Sequence, residues 1–472
     1  MRENKINSVC AKEICEALGF EVIGPDHSLT IDWKMDSRLV EDGNGFLAIK
    51  GAKVDAHDFI PDVIARGVSV IVAEKNRHDY ITEIANKNPK VSFILVDEST
   101  HGFACIAKAY LEIVKPLVVA ITGSVGKTTT RELCLAVACS KYKTYGAKKS
   151  YNTLLGTSFT IMSMPSDTEV LILEFGTNHF GEIQELADYF NPNVAIITEI
   201  ADAHLETFKT RDGVLKEKTC ILSHKENLKA VIYNKDNEHL RSYFENNSYS
   251  CPIYSVGKSG NCRIGEEIYL NVSPQKTSCD YEIDGQKIVL ESPLFGVQHT
   301  KNMALALSLG CFLRIDLPTI KKSLSSMVVL EGRGIIYSLR NNCYLIDEAY
   351  NSNPTSCGVA IQNLLHGAQG KAVQYKTCAI LGGMRELGEK TKSSHQYIID
   401  MLASVDYVYL LGEEWKECNI NGLKSVELHN SLDTLRQLVK EKVQNFDNTI
   451  VLIKGSNSYG LCNVVNDIKE RI

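Results

Sequence analysis

Gly123, Ser124, Val125, Gly126, Lys127, Thr128 and Thr129 bring two glycines, a lysine and three hydroxyls into one short stretch. Glycines let backbone N–H groups approach an anion closely, and a helix N-terminus favours negative charge. Lys127 is spaced to reach the outer phosphates of a nucleotide, and the Thr128 hydroxyl to hold Mg²⁺. The general pattern Gly-x4-Gly-Lys-Ser/Thr asks for glycine at 121, where this chain has Ile121. A glycine turn with a chance lysine is the alternative, and the flanking segments weigh against it: an apolar run at 117–121 enters the loop and a helix-like stretch at 128–140 leaves it.

Two further strand ends carry polar groups. The run Leu171-Ile-Leu ends in Glu174, at the edge where parallel sheets bind ligands, so Glu174 is a candidate for metal. The run at 194–198 delivers His204 in the same way. Taken singly, Glu174 reads equally well as a solvated loop acid and His204 as a hydrogen-bonded loop residue. Lys218, in Val214-Leu-Lys-Glu-Lys218, reads as a surface lysine. Residues 351–354 read as an Asn-Pro turn.

The elements that must position these groups fall into three alternations. Residues 1–112 mix helix-like segments with strand candidates at 46–50 and 91–96, a small α/β unit. Residues 113–328 alternate continuous apolar strands (117–121, 170–173, 194–198) with helices, which implies a parallel sheet covered on both faces. A polar tract at 246–286 reads as short antiparallel strands and turns attached to this unit. Residues 329–472 begin a second parallel α/β unit, with strand candidates at 344–346, 377–381, 407–411 and 449–453. The expected fold is therefore α/β in three domains: a central phosphate-loop domain flanked by a small N-terminal α/β domain and a C-terminal Rossmann-like domain.

With 44% apolar and 23% charged residues, 472 residues are long enough for several cores, and disorder is not expected. The net charge of −6 gives no attraction to nucleic acid or an anionic membrane, and no apolar run approaches the ~20 residues of a membrane span. The polar first residues suggest no export signal. Fifteen cysteines, odd in number, scattered and without a Cys-x-x-Cys pair, fit a reduced cytoplasmic protein.

Read in order, several segments resemble the Mur ligases over essentially the whole chain. They are Asp36-Ser37-Arg38, Lys50-Gly51 with Asp55-Ala-His57, the loop 123–128, and Glu174-Phe-Gly-Thr-Asn-His-Phe-Gly-Glu-Ile183. They continue with Asp347-Glu-Ala-Tyr-Asn351-Ser-Asn-Pro354, Leu381-Gly-Gly-Met-Arg-Glu-Leu-Gly388 and Lys454-Gly-Ser456. The family's shortened loop accounts for Ile121. The resemblance implies an ATP-dependent amide ligase that phosphorylates a carboxylate and lets an amine displace the phosphate. It implies Lys127, Glu174, His204 and Lys218 as the catalytic set, with two Mg²⁺ ions on Thr128, Glu174, His204 and a carbamylated Lys218. ATP would be held by residues 123–129 with Asn302, Arg333, Asp347 and Asn351. The other substrate would be held by Ser37, Arg38, Lys50 and Gly51 at its UDP end, and by Asn152. The implied substrates are a UDP-linked muramoyl peptide and D-alanyl-D-alanine, handled by a cytoplasmic monomer.

The chain departs from the family pattern at Glu199, Gln298-His299, Gly383, Asn457 and across Gly146-Ala-Lys-Lys-Ser-Tyr-Asn152. These changes leave open a Mur-type ligase for another acid and amine, a catalytically weak nucleotide-binding paralogue, or a phosphate-loop phosphotransferase. Joint retention of Lys127, Thr128, Glu174, His204 and Lys218 argues against a pure binding module.

Overall fold

Continuous runs of β-branched and aliphatic residues, buried on both faces, make the centres of three sheets in the computed structural model. It describes residues 11–29, 32–147, 150–369 and 374–470. The first residues read above as polar, and Lys148 and Lys149 of the departing segment, lie outside the described residues.

The first sheet has five strands in the order Glu21–Ile23, Ser92–Val96, Val70–Glu74, Gly45–Leu47, Trp33–Lys34, parallel except at the Glu21–Ile23 edge. The strand expected over 46–50 stops at Leu47. Lys50 instead pairs with Asp55 across a tight turn closed by the Gly51 N–H on the Val54 carbonyl at 2.9 Å. Local pairing takes the groups a longer strand would have used.

The central sheet has nine strands: Thr144–Gly146, Val170–Glu174, Leu117–Thr122, Val194–Ile197, Ala230–Asn234, Ile253–Gly257, Cys262–Asn271, Lys276–Ile283 and Gln286–Ser292, in that spatial order. The parallel sheet expected here is a mixed one. Strands from Thr144–Gly146 to Cys262–Asn271 run parallel, and the last three form an antiparallel meander on the same sheet. The tract 246–286 therefore extends the main sheet rather than hanging from it.

Helices Lys127–Ala138 and Gln298–Phe312 cover one face, and Leu154–Met162 and Glu182–Phe190 the other. Helix Ser99–Val114 joins the first two sheets. Its Phe103 ring lies 5.0 Å from Trp33 on one side and 5.0 Å from Phe159 on the other, so one apolar cluster is shared. The third sheet has the order Ile335–Ser338, Tyr344–Glu348, Thr449–Lys454, Lys376–Gly382, Tyr407–Leu411, Val426–His429, parallel except at its Ile335–Ser338 edge.

Candidate active site

Parallel pairing sets Ile121 beside Glu174 and Thr122 beside Ile197, so three segments leave the central sheet at the same edge. The glycine loop follows the first, Glu174 ends the second, and the approach to His204 follows the third. This is the crevice at the carboxyl ends of parallel strands, at the point where strand order reverses.

Two glycines of the loop are required by geometry. Gly123 has φ 147°, and a Cβ there would lie 2.0 Å from Thr198 Oγ1; Gly126 has φ 84°, and a Cβ would lie 2.9 Å from Asn302 Oδ1. The loop is pinned from the neighbouring strand end. The Ser124 N–H donates to the Glu199 carbonyl at 2.7 Å, and Thr198 Oγ1 donates to the Val125 carbonyl at 2.6 Å. Asn302 on helix Gln298–Phe312 therefore packs on the loop.

Glu174 is buried at 1% exposure and surrounded by donors. Thr128 Oγ1 donates to Oε2 at 2.9 Å, Asn152 Nδ2 donates to Oε1 at 3.0 Å, and Arg131 Nη1 lies 3.4 Å from Oε2. Asn152, expected on the second substrate, thus stands on the same carboxylate as the phosphate-loop threonine. Arg333, from the stretch entering the third sheet, donates to Thr128 Oγ1 at 3.2 Å and stacks on Tyr350 at 3.8 Å. Arg131 and Tyr350 were missed in the sequence. Arg131 was findable, since it lies one helical turn after Lys127 and so shares its face.

Lys127 Nζ donates to the Gly123 carbonyl at 2.7 Å; burial pushes its ammonium down, with Glu174 opposing. Lys218 reverses the surface reading made from chemistry alone: it is 1% exposed. Neighbouring Glu217 explains this, because its carboxylate caps the turn at 181–183, accepting from the Gly181 and Ile183 N–H groups at 2.8 Å each and so drawing helix Arg211–Thr219 inward. Among the described residues, no hydrogen bond or ion pair engages the Lys218 ammonium. Burial, and then the Lys127 charge, push it well below the ordinary lysine value.

His204 sits at φ 52° at the head of the short helix Leu205–Phe208, with Nδ1 on the carboxylate of Glu386 from the third unit. Burial pushes its imidazole down, against the pull of Glu386. Glu199, a departure from the family pattern, is half-buried behind the loop. Its Oε2 accepts from Asn234 Nδ2 at 2.7 Å and its Oε1 from Asn237 Nδ2; burial pushes its carboxyl up.

Asp347 and Asn351 serve the entry to the third sheet. Asp347 accepts from the Gly332 and Ala349 N–H groups at 2.9 and 3.1 Å, and the Asn351 carbonyl accepts from buried Lys454 at 2.9 Å. Residues 351–354 are more than a turn: Asn353 forms a capping box with Ser356 on helix Pro354–Ala368. Ser37 and Arg38 lie in the short helical turn Ser37–Leu39 beside the first sheet, and Lys50 and Gly51 on one of its loops; the Arg38 carbonyl accepts from Arg66 Nη1 at 3.4 Å. Arg38 forms two bonds to Asp36, at 2.9 and 2.7 Å, and holds that carboxyl down at about 2.

Among the described residues, no three His, Cys, Asp or Glu side chains form a metal cluster. Glu174 with the Thr128 hydroxyl nevertheless fits magnesium, which takes few protein oxygens and completes its shell with phosphate and water.

Three family models match in order: the Mur ligase family catalytic domain over residues 33–110, the Mur ligase middle domain over 121–310, and the Mur ligase glutamate ligase domain over 332–457. The chain belongs to the Mur ligase family. The first match spans four of the five strands of the first sheet, and the last holds every strand of the third. Relatives named UDP-N-acetylmuramoyl-tripeptide--D-alanyl-D-alanine ligase match end to end. The Bacillus subtilis protein is 27% identical, covering 97% of this chain and 98% of its own. The Rickettsia prowazekii protein is 29% identical, with coverage of 97% and 98%. MurF from Acinetobacter baumannii superposes with a TM-score of 0.83 at 23% identity, covering 98% of this chain and 100% of its own. MurF ligase from Thermotoga maritima, in complex with ADP, gives 0.79 at 24%, covering 94% and 98%. The Mur ligase fold thus extends over the whole described chain.

Proposed function

We propose that this chain is an ATP-dependent amide ligase that adds D-alanyl-D-alanine to a UDP-N-acetylmuramoyl-tripeptide, the chemistry that its end-to-end relatives carry in their names. A substrate carboxylate oxygen attacks the γ-phosphorus of ATP and ADP leaves. The amine nitrogen then attacks the acyl carbon, phosphate departs with that carboxylate oxygen, and the nitrogen loses a proton. Such a sequence needs little covalent help from the protein but much charge neutralisation, because a carboxylate must approach a polyanion.

The observation that carries this reading is the gathering of Lys127, Thr128, Glu174 and Lys218 in one buried place at the mouth of the glycine loop. Lys127 stands between the two anions, Arg333 and Asn302 flank the phosphates, and Asp347 and Asn351 shape the ribose and base side. Thr128, Glu174, His204 and a carbamylated Lys218 would hold two Mg²⁺ ions, which would neutralise phosphate charge. An unpaired buried amine at Lys218 supports carbamylation, since burial favours the neutral form and the neutral form is the one that captures CO₂. Ser37, Arg38, Lys50 and Gly51 take the UDP end, with domain limits near residues 112 and 328. Among the described residues, no helix is long and apolar enough to cross a membrane.

Phosphate release from ATP, measured with UDP-muramoyl tripeptide alone, D-alanyl-D-alanine alone and both together, tests the reading. Release only with both is expected. Release with neither, or accumulation of a lasting phosphorylated product when the amine is present, rejects the ligase. Release that needs a different acid or amine would instead favour the reading raised by Glu199, Gln298-His299, Gly383 and Asn457.

A further inference from the structure

The ring of His204 is held from across the boundary between the second and third sheets. Glu386, in the loop after strand Lys376–Gly382, places its carboxylate on Nδ1. Both residues lie in the left-handed region, at φ 52° and 64°, where side chains other than glycine and asparagine are uncommon. The backbones meet as well, the Glu206 N–H donating to the Glu386 carbonyl at 3.3 Å, and Lys390 lies 3.5 Å from Asp202 along the same seam. A cleft of about 390 Å³, lined by Asp202, Arg211, Pro354, Thr355, Lys390 and Tyr397, opens beside this contact. Glu386 is half exposed, and His204 is its one side-chain partner among the described residues. A left-handed, half-exposed position would be filled with less strain by glycine, so the carboxylate is what distinguishes Glu386 there.

A carboxylate on Nδ1 fixes both the plane of an imidazole and its tautomer. The proton stays on Nδ1, and Nε2 keeps its lone pair. His204 also feels the charges of Lys127 and Lys218, so the ring belongs to the phosphate site while its orientation is set by the third unit.

We propose that Glu386 is a positioning residue for the ligase reaction: it clasps His204 from the C-terminal unit, so that the ring takes its working orientation only when that unit is docked on the phosphate loop. This rests on the ligase reading above. The clasp can be read without turnover, and that separates the failure of one from the failure of the other.

The test uses the full chain with Glu386→Ala, Glu386→Gln, His204→Ala and the double variant Glu386→Ala/His204→Ala. Ring ¹⁵N spectra of histidine-labelled, ligand-free protein report the tautomer, with His204 assigned by its loss in His204→Ala. The Nδ1–H tautomer is expected in the wild type and in Glu386→Gln, whose amide oxygen still accepts, and a mixture or the Nε2–H form in Glu386→Ala. In the phosphate-release assay, Glu386→Ala should lower kcat about tenfold or more while the KM for ATP changes less than about threefold. Glu386→Gln should keep roughly a third of kcat or better, and the double variant should be no slower than His204→Ala within about twofold. An unchanged tautomer in Glu386→Ala, effects that multiply in the double variant, or Glu386→Gln as slow as Glu386→Ala would each overturn the clasp. Wild-type protein with the expected tautomer but no release with both substrates would instead count against the ligase reading.

Discussion

Lys127 and Lys218 bring two amines into one site, where burial lowers the proton affinity of both and the Lys127 charge lowers that of Lys218 further. Like charges out of water are unfavourable unless an anion joins them, and a triphosphate beside a carboxylate is such an anion. Removing Lys127 should therefore act on the reaction rather than the fold. Lys127→Ala is expected to lower kcat about 10³-fold, measured as phosphate release with both substrates, with far-UV circular dichroism unchanged. Lys218→Ala is expected to lose most activity and to regain part of it when a short-chain carboxylic acid is added, since the acid restores the oxygen pair of a carbamate. Full activity of Lys218→Ala without added acid would remove that role. The glycine loop was legible in the sequence because its chemistry is local, a strand, a tight turn and a helix start. Lys218 was not, because the segment Arg211-Asp-Gly-Val-Leu-Lys-Glu-Lys218 is mostly polar, and its burial depends on Glu217 binding N–H groups some thirty-five residues away in sequence.

At the scale of elements, the site depends on neighbouring parallel strands ending together, which leaves the phosphate loop wedged between Thr198 and helix Gln298–Phe312. Gly126 shows how little room remains. Gly126→Ala combines a left-handed backbone with a Cβ 2.9 Å from Asn302 Oδ1. It should cost about 1–2 kcal/mol in urea unfolding and weaken ATP binding more than it weakens the fold. Strand candidates near 117–121 and 170–173 were readable because fully buried parallel strands are continuous apolar runs. The polar tract at 246–286 reads as short antiparallel strands and turns attached to the central unit; its strand Cys262–Asn271 turns Glu266, Glu267 and Tyr269 outward, and a half-exposed edge carries no sign of which sheet it joins. The strand over 46–50 was overextended for a similar reason: nothing in Phe46-Leu-Ala-Ile-Lys50 announces that the turn at Gly51 will claim its last pairings.

Across the whole molecule, the second and third units meet through buried polar groups as well as through Glu386. Gln298 Oε1 accepts from Asn363 Nδ2 at 2.8 Å, the Val297 N–H donates to Asn363 Oδ1 at 3.0 Å, and Gln298 Nε2 lies 3.1 Å from His299 Nε2. Burial pushes the His299 imidazole down to about 4, with Glu348 opposing, against an ordinary value of 6.5. Between those values the unfolded chain binds the proton and the folded chain does not, so the stability due to neutral His299 is complete above 6.5 and is lost as the pH falls toward 4. The window limits that loss to roughly 3 kcal/mol. The urea midpoint should fall between pH 7 and pH 5, and His299→Asn should flatten that fall; an equal fall in His299→Asn would assign the acid sensitivity elsewhere. Three domains were legible from the repeated alternation of strands and helices, whereas these seams were not, since they join residues far apart in sequence.

The central claim is that ATP is spent on the substrate's carboxylate. With both oxygens of the tripeptide's terminal carboxylate labelled with ¹⁸O, turnover in the presence of ATP and D-alanyl-D-alanine should place one ¹⁸O in each phosphate released. Unlabelled phosphate formed alongside the amide product would contradict the account.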